Sequence, residues 1–247
     1  MSEKPILFST PMVQAIMDNR KNKTRRIMKR KGYDEAINKP ENDFAQRSYE
    51  NLWQIGHRMS NRVAPQNSIG VTCPYQVGEI RWIQETWKID SVDDIHYTMA
   101  IDFKAIQDGH NGAEVICKFS LERYHKFRKF YQKNGWQSPY FMPSEAARTR
   151  IRIIGAVPER LQDITEEEAK AEGIKGYTKD GQLYKYCVNV DEWIKNWKDK
   201  SQTSWQGMPR TAKEAFKMLW DSLHKNDGHD WEKNDWVWNV SFEKVIP

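Results

Sequence analysis

Hydrophobic and polar positions divide the chain into stretches of different period. Near the start, Phe8-Ser9-Thr10-Pro11 opens a helix, with Thr10 as cap and Pro11 in the first helical position. Val13, Ile16 and Met17 then share a face, and the helix is expected to end near Asp18-Asn19. From Ile69 the period shortens to two. Ile69–Thr72 reads as a short strand. Glu79–Trp87 reads as a longer one, with Ile80, Trp82, Gln84 and Thr86 on one side and Arg81, Ile83, Glu85 and Trp87 on the other. Large apolar groups on both sides predict a strand packed on two faces. His96–Ile101 and Glu114–Phe119 read as strands around the turn Asp108–Gly112, and Arg148–Val157 as another.

The second half carries better-signed helices. Thr165 to Glu168 forms a capping box with acids in the first turn, and Gly173 supplies the stop. Residues 175–190 predict a turn region or hairpin, and Asp191–Trp197 a short helix. Thr211 and Glu214 make a second capping box, followed by Phe216, Leu219, Trp220 and Leu223 at helical spacing. Trp236–Ile246 alternates again, with Trp236, Trp238, Val240 and Phe242 on one face. Residues 32–68 are polar and Asn-rich and predict a long loop with little regular structure. Strands and helices without regular alternation predict an α+β fold.

Composition adds three constraints. The chain is 38% hydrophobic and 30% charged, and its eleven Trp, ten Tyr and nine Phe can supply a core. No stretch reaches the ~20 apolar residues of a membrane span, and no signal segment is read at the start, so a cytoplasmic protein is expected. Cys73, Cys117 and Cys187 are too few and too scattered for a disulfide framework or thiolate metal site, and His224, His229 and Asp230 lack a further ligand cluster. No metal or cofactor is expected. The net charge of +5 is localised: residues 1–35 hold nine Lys/Arg against four acids, and eight of those cations lie between Arg20 and Lys31. Such focusing predicts a polyanionic partner, unless the run is simply a solvated face.

Several segments, in order, resemble the ASCH-domain proteins of phages and prophages. Pro5–Val13 followed by Asn19–Arg26 resembles the family's opening, and Tyr75–Glu79 through Trp82–Trp87 its second signature. Met142-Pro143, Leu161–Gly173, Phe216–Leu223 and Trp236–Phe242 continue the match, whereas 32–68 and 88–135 stand out as insertions. The resemblance implies a single PUA-like domain over 1–247, a mixed β-barrel with surrounding helices and a long polar insertion. It also implies a cleft for a nucleoside or single-stranded RNA, with DNA as a variant, in the host cytoplasm if phage-encoded. Small bacterial members are amidohydrolases of N4-acetylcytidine. Their K-x-x-T segment and later helix-end Glu fall on Lys21, Thr24 and Glu172 as catalytic residues. Asn19 and Asn22 depart from the family's Gly and Thr.

The residue types suit that chemistry. A lysine among Arg20, Lys23, Arg25 and Arg26 in a low-dielectric cleft loses basicity through desolvation and like charge, and can then activate a hydroxyl such as that of Thr24. Glu172, at the negative end of its helix, suits proton transfer. Arg20, Lys23, Arg25, Arg26 and Arg148 are candidate nucleic-acid contacts. Trp82, Trp87 and Trp136 are candidate stacking platforms, though each also reads as core. Glu85 suits either a base edge or an arginine partner. Two other classes compete with hydrolysis: a non-catalytic nucleic-acid or modified-base binding module, and a phage protein that binds a host protein.

Overall fold

The computed structural model describes residues 3–29, 34–59, 62–63, 68–106, 115–132, 135–198, 201 and 203–245. The Asp108–Gly112 turn and the Arg30-Lys31 end of the basic run lie outside them. The first strands and helices are β1 (Lys4–Leu7), α1 (Thr10–Met17), β2 (Lys23–Ile27), α2 (Asp34–Ile37), β3 (Phe44–Tyr49), β4 (Leu52–Gly56), β5 (Arg58–Met59), β6 (Arg62–Val63) and β7 (Ile69–Thr72). The middle of the chain forms β8 (Ile80–Gln84), β9 (Trp87–Asp93), β10 (Thr98–Phe103), β11 (Val115–Lys118), α3 (Leu121–Gln132) and β12 (Arg150–Arg160). The last part forms α4 (Glu166–Ala171), β13 (Lys175–Thr178), β14 (Tyr184–Cys187), α5 (Val190–Asn196), α6 (Ser204–Gly207), α7 (Ala212–His224) and β15 (Trp236–Val245). The fold is α+β. No sheet among the described residues closes on itself, so the barrel expected from the resemblance is not formed as a closed one.

The chain folds as two compact units, each built from separated segments. One comprises residues 1–19, 80–152 and 244–247. In it β1 runs parallel to β8, which pairs antiparallel with Arg150–Arg152 of β12. Ser9, rather than Thr10, takes the N-cap position of α1 and places Pro11 in its first turn. The strand expected over Glu79–Trp87 is broken. β8 ends at Gln84, and Trp87 begins β9, which pairs with β10 and, through it, β11. Tyr124, Phe127 and Phe130 of α3 supply one side of the core beneath that sheet. Trp87, fully buried, meets the Phe127 and Phe130 rings edge-on at 6.3 and 5.5 Å.

The other unit comprises residues 20–79 and 153–243. Here β2 pairs antiparallel with β15 (Lys23 with Ser241, Thr24 with Val240, Arg25 with Asn239, Arg26 with Trp238). Trp236 to Val240 are all buried, so both faces of β15 are covered rather than the single face its alternation predicts. One face, with Ile27 and Val237, packs on α4 and α7 through Leu161, Ile164, Phe216 and Trp220. Both predicted capping boxes form, Thr165 with Glu168 and Thr211 with Glu214. Leu223, at the end of the predicted stripe of α7, is exposed. The opposite face meets the segment after residue 34. Trp53 of β4 approaches Trp238 at 6.5 Å, and Arg160 lies 5.0 Å over Trp236. That segment is not the loop expected over 32–68: β3, β4 and β7 form an antiparallel sheet, with α2 before it. Its apolar positions (Phe44, Leu52, Trp53, Ile55) are short of a full alternating run, and pairing with β7 supplies what the local pattern lacks.

Candidate functional site

β2 presents its side chains alternately to the two faces of its sheet. Lys23 and Arg25 share a face with Asn239, while Thr24 and Arg26 share the other with Trp238 and Val240. Just ahead of β2, Lys21 bridges to Glu172, the residue that ends α4. Glu168 and Glu172 are one helical turn apart on α4, so both carboxylates project toward the cationic face.

Ion pairs follow from this facing. Lys21 Nζ donates to Glu172 Oε2 at 2.6 Å, to the Glu172 carbonyl at 2.9 Å and to the Lys23 carbonyl at 2.7 Å. The two side chains are 2% and 4% exposed, so the pair is buried. Arg25 places NH2 2.5 Å from Glu159 Oε1 and 2.7 Å from Glu168 Oε2, and NH1 3.3 Å from Glu172 Oε1. Lys23 Nζ lies 3.0 Å from Glu168 Oε1. Asn239 Nδ2 donates to Glu159 at 2.8 Å and Glu168 at 3.1 Å. Three cations thus face three carboxylates, which is how a buried charge cluster avoids the cost of an uncompensated ion.

The electrostatics are uneven within the cluster. Burial pulls Lys21 below the ordinary lysine range, against the opposing pull of Glu172. Burial pushes Glu159 up despite Arg25. Burial also pushes on Glu168, but Lys23 and Arg25 outweigh it and hold that carboxyl at about 2. Carboxyls of one chemical type are therefore driven in opposite directions within one cluster, as in sites that move protons and equally in structural ion-pair networks.

Two of the three proposed catalytic residues converge. Lys21 and Glu172, 151 positions apart, are in direct contact. Thr24 is buried on the opposite face of β2, and among the described residues no hydrogen bond joins its hydroxyl to Lys21. The K-x-x-T spacing brings the two groups together only on a helix or tight turn, whereas this segment is extended. The candidate phosphate contacts are partly committed within the chain. Arg20 donates to the Gly173 carbonyl at 3.0 Å, Lys23 and Arg25 are in the cluster, and Arg26 is half-buried on the Thr24 face. In the other unit, Glu85 is 1% exposed and takes a two-pronged contact from Arg148 at 2.8 and 2.6 Å, so its partner is an arginine. Arg148 also lies 4.5 Å over the Phe103 ring. Trp82 and Trp87 are core residues, and Trp136 is half-buried with Lys88 5.6 Å away.

Sequence reasoning did not single out Glu159, Glu168 or Asn239 for this site. The spacing held a signal for Glu168: acids at i and i+4 on a helix, opposite cations at i, i+2 and i+4 on an extended segment. His229 Nδ1 lies 2.6 Å from Asp235, and among the described residues no group of three or more His, Cys, Asp or Glu is placed to hold a metal ion. No described helix is long and apolar enough to cross a membrane. No protein-family model, curated protein or solved structure matches this chain.

Proposed function

We propose that the chain is a nucleoside-handling hydrolase of PUA-like, ASCH type that cleaves an amide on a modified base such as N4-acetylcytidine. The observation that supports this reading is the buried contact between Lys21 and Glu172, the two groups to which the resemblance assigns proton chemistry. Glu172 takes the proton of the attacking nucleophile, and Lys21 holds the carboxylate in place and offsets the negative charge that develops on the acyl oxygen. Because Thr24 faces the other way, the attacking group is a water molecule. Its oxygen adds to the acyl carbon as its proton passes to Glu172. Collapse of the adduct breaks the C–N bond, and the proton goes to the departing exocyclic nitrogen. Lys23, Glu159 and Glu168, each partly exposed, form the side from which the substrate carbonyl enters.

The test is chromatographic, with N4-acetylcytidine and other acylated nucleosides. Wild type converts at least one; Lys21→Met and Glu172→Gln, checked for folding by circular dichroism, do not; Thr24→Val does. Loss of turnover in a folded Thr24→Val returns the nucleophile to Thr24. A folded wild type inert on the whole panel sinks the hydrolase reading.

A further inference from the structure

The unit of residues 20–79 and 153–243 contains a cavity of about 490 Å³ that none of the charge-cluster residues lines. It lies between the β3–β4 turn, the Cys73–Val77 loop and Gly155–Val157 of β12. That volume is within the ~300–1,000 Å³ typical of small-ligand sites. Cys73 is buried at its floor, whereas Arg47, Glu50, Val77 and Val157 are exposed at its mouth, so it opens to solvent on one side. Trp53 and Tyr75 contribute half-buried rings to the wall.

The lining specifies the ligand's chemistry. Two aromatic walls favour a flat ring over an aliphatic chain, since stacking gains area at little entropic cost. The amides of Asn51 and Gln76 and the carboxylate of Glu50 need hydrogen-bond partners once water leaves, which a purely hydrocarbon ring lacks. Arg47 is anchored by donating from Nε and NH2 to the Glu50 carbonyl at 3.0 and 2.5 Å. Arg47 and Glu50, one cation and one anion, both line the mouth, so the rim favours a neutral ring over an anion or a cation.

We propose that this cavity binds a neutral heteroaromatic ring of nucleobase size with hydrogen-bonding edges. The ring stacks against Trp53 and Tyr75, and its edge is read by Asn51 and Gln76. It is either a free nucleoside or an unpaired base of a single strand. This site shares no lining residue with the Lys21–Glu172 cluster, and variants confined to the cavity separate base binding here from hydrolysis there.

Binding of cytidine and adenosine is measured by equilibrium dialysis, and binding of a labelled single-stranded oligoribonucleotide by fluorescence anisotropy. Two variants accompany wild type. Tyr75→Ala removes a stacking face, and Val157→Trp fills the mouth from an exposed position without deleting a contact. Wild type binds at least one probe, and both variants weaken that binding about fivefold or more, as a stacked base worth ~1–3 kcal/mol requires. A nucleoside that binds and displaces the oligonucleotide identifies the base as the recognised unit; an oligonucleotide that binds where nucleosides do not identifies the strand as its source. No binding of any probe by folded wild type overturns the proposal, as does wild-type affinity in both variants.

Discussion

Replacing Arg25 with Met tests whether the charge cluster is a coupled unit. The substitution keeps an unbranched stem of similar length and removes the one cation among the described residues that touches Glu159, Glu168 and Glu172 together. Three carboxylates then face two lysines, and Glu172 is left with Lys21 alone. Breaking a buried ion pair from one side costs about 3–5 kcal/mol. Glu159 and Glu168 keep some solvent, 18% and 21% of their side chains, so the lower end, about 3 kcal/mol, is expected. Urea unfolding at about pH 7 reads this as a lower midpoint at unchanged slope. Acid supplies the second half of the test. In wild type, Glu168 is held at about 2, below its ordinary value of 4.5. A depressed carboxylate stabilises the fold above its unfolded pKa, and that contribution is lost as pH falls from about 4.5 to about 2. Without Arg25, Glu168 protonates at higher pH and has less to lose. The stability gap between wild type and variant therefore narrows as pH falls through that window. A loss under about 1 kcal/mol at neutral pH, or a gap that does not change with acid, refutes the coupling.

Two further perturbations probe other parts of the molecule. Arg148→Met leaves the buried Glu85 without its two-pronged partner; burial already pushes this carboxyl above the ordinary range, and the variant raises it further. A raised acid loses stability as pH rises through the window above its unfolded value, so the variant melts higher at mildly acidic than at alkaline pH, and a flat profile contradicts this. Gly207→Ala places a Cβ 1.8 Å from Cη2 of Trp197, so the indole must move. A loss of about 1–3 kcal/mol and altered near-UV dichroism follow, and an unchanged melt with an unchanged spectrum refutes the contact.

Local chemistry made parts of this structure legible. Thr165 with Glu168, and Thr211 with Glu214, are short-range hydrogen-bond patterns, and both capping boxes formed where the sequence placed them. β7 coincides with the predicted Ile69–Thr72, and the 175–190 region folds as the hairpin of β13 and β14. What escaped depends on distant partners. Glu79–Trp87 alternates without a break, yet Trp87 leaves the first sheet to join β10, driven by burial against Phe127 and Phe130. α3 is largely polar, and Tyr124, Phe127 and Phe130 mark its buried side. At the candidate site, the contact of Lys21 with Glu172 agrees with what the resemblance implies, but the face of Thr24 was not legible. Whether K-x-x-T converges depends on the backbone conformation, and pairing with β15 holds it extended.

In the proposed function, the buried Lys21–Glu172 pair carries out proton transfer in amide hydrolysis. The most direct measurement is acetate release from N4-acetylcytidine by wild type beside a folded Glu172→Gln. Steady release by wild type, abolished in the variant although its melting temperature shows a folded protein, is the predicted result. Equal release by both proteins, or none by wild type on any acylated nucleoside, contradicts it and leaves the pair as a structural ion pair.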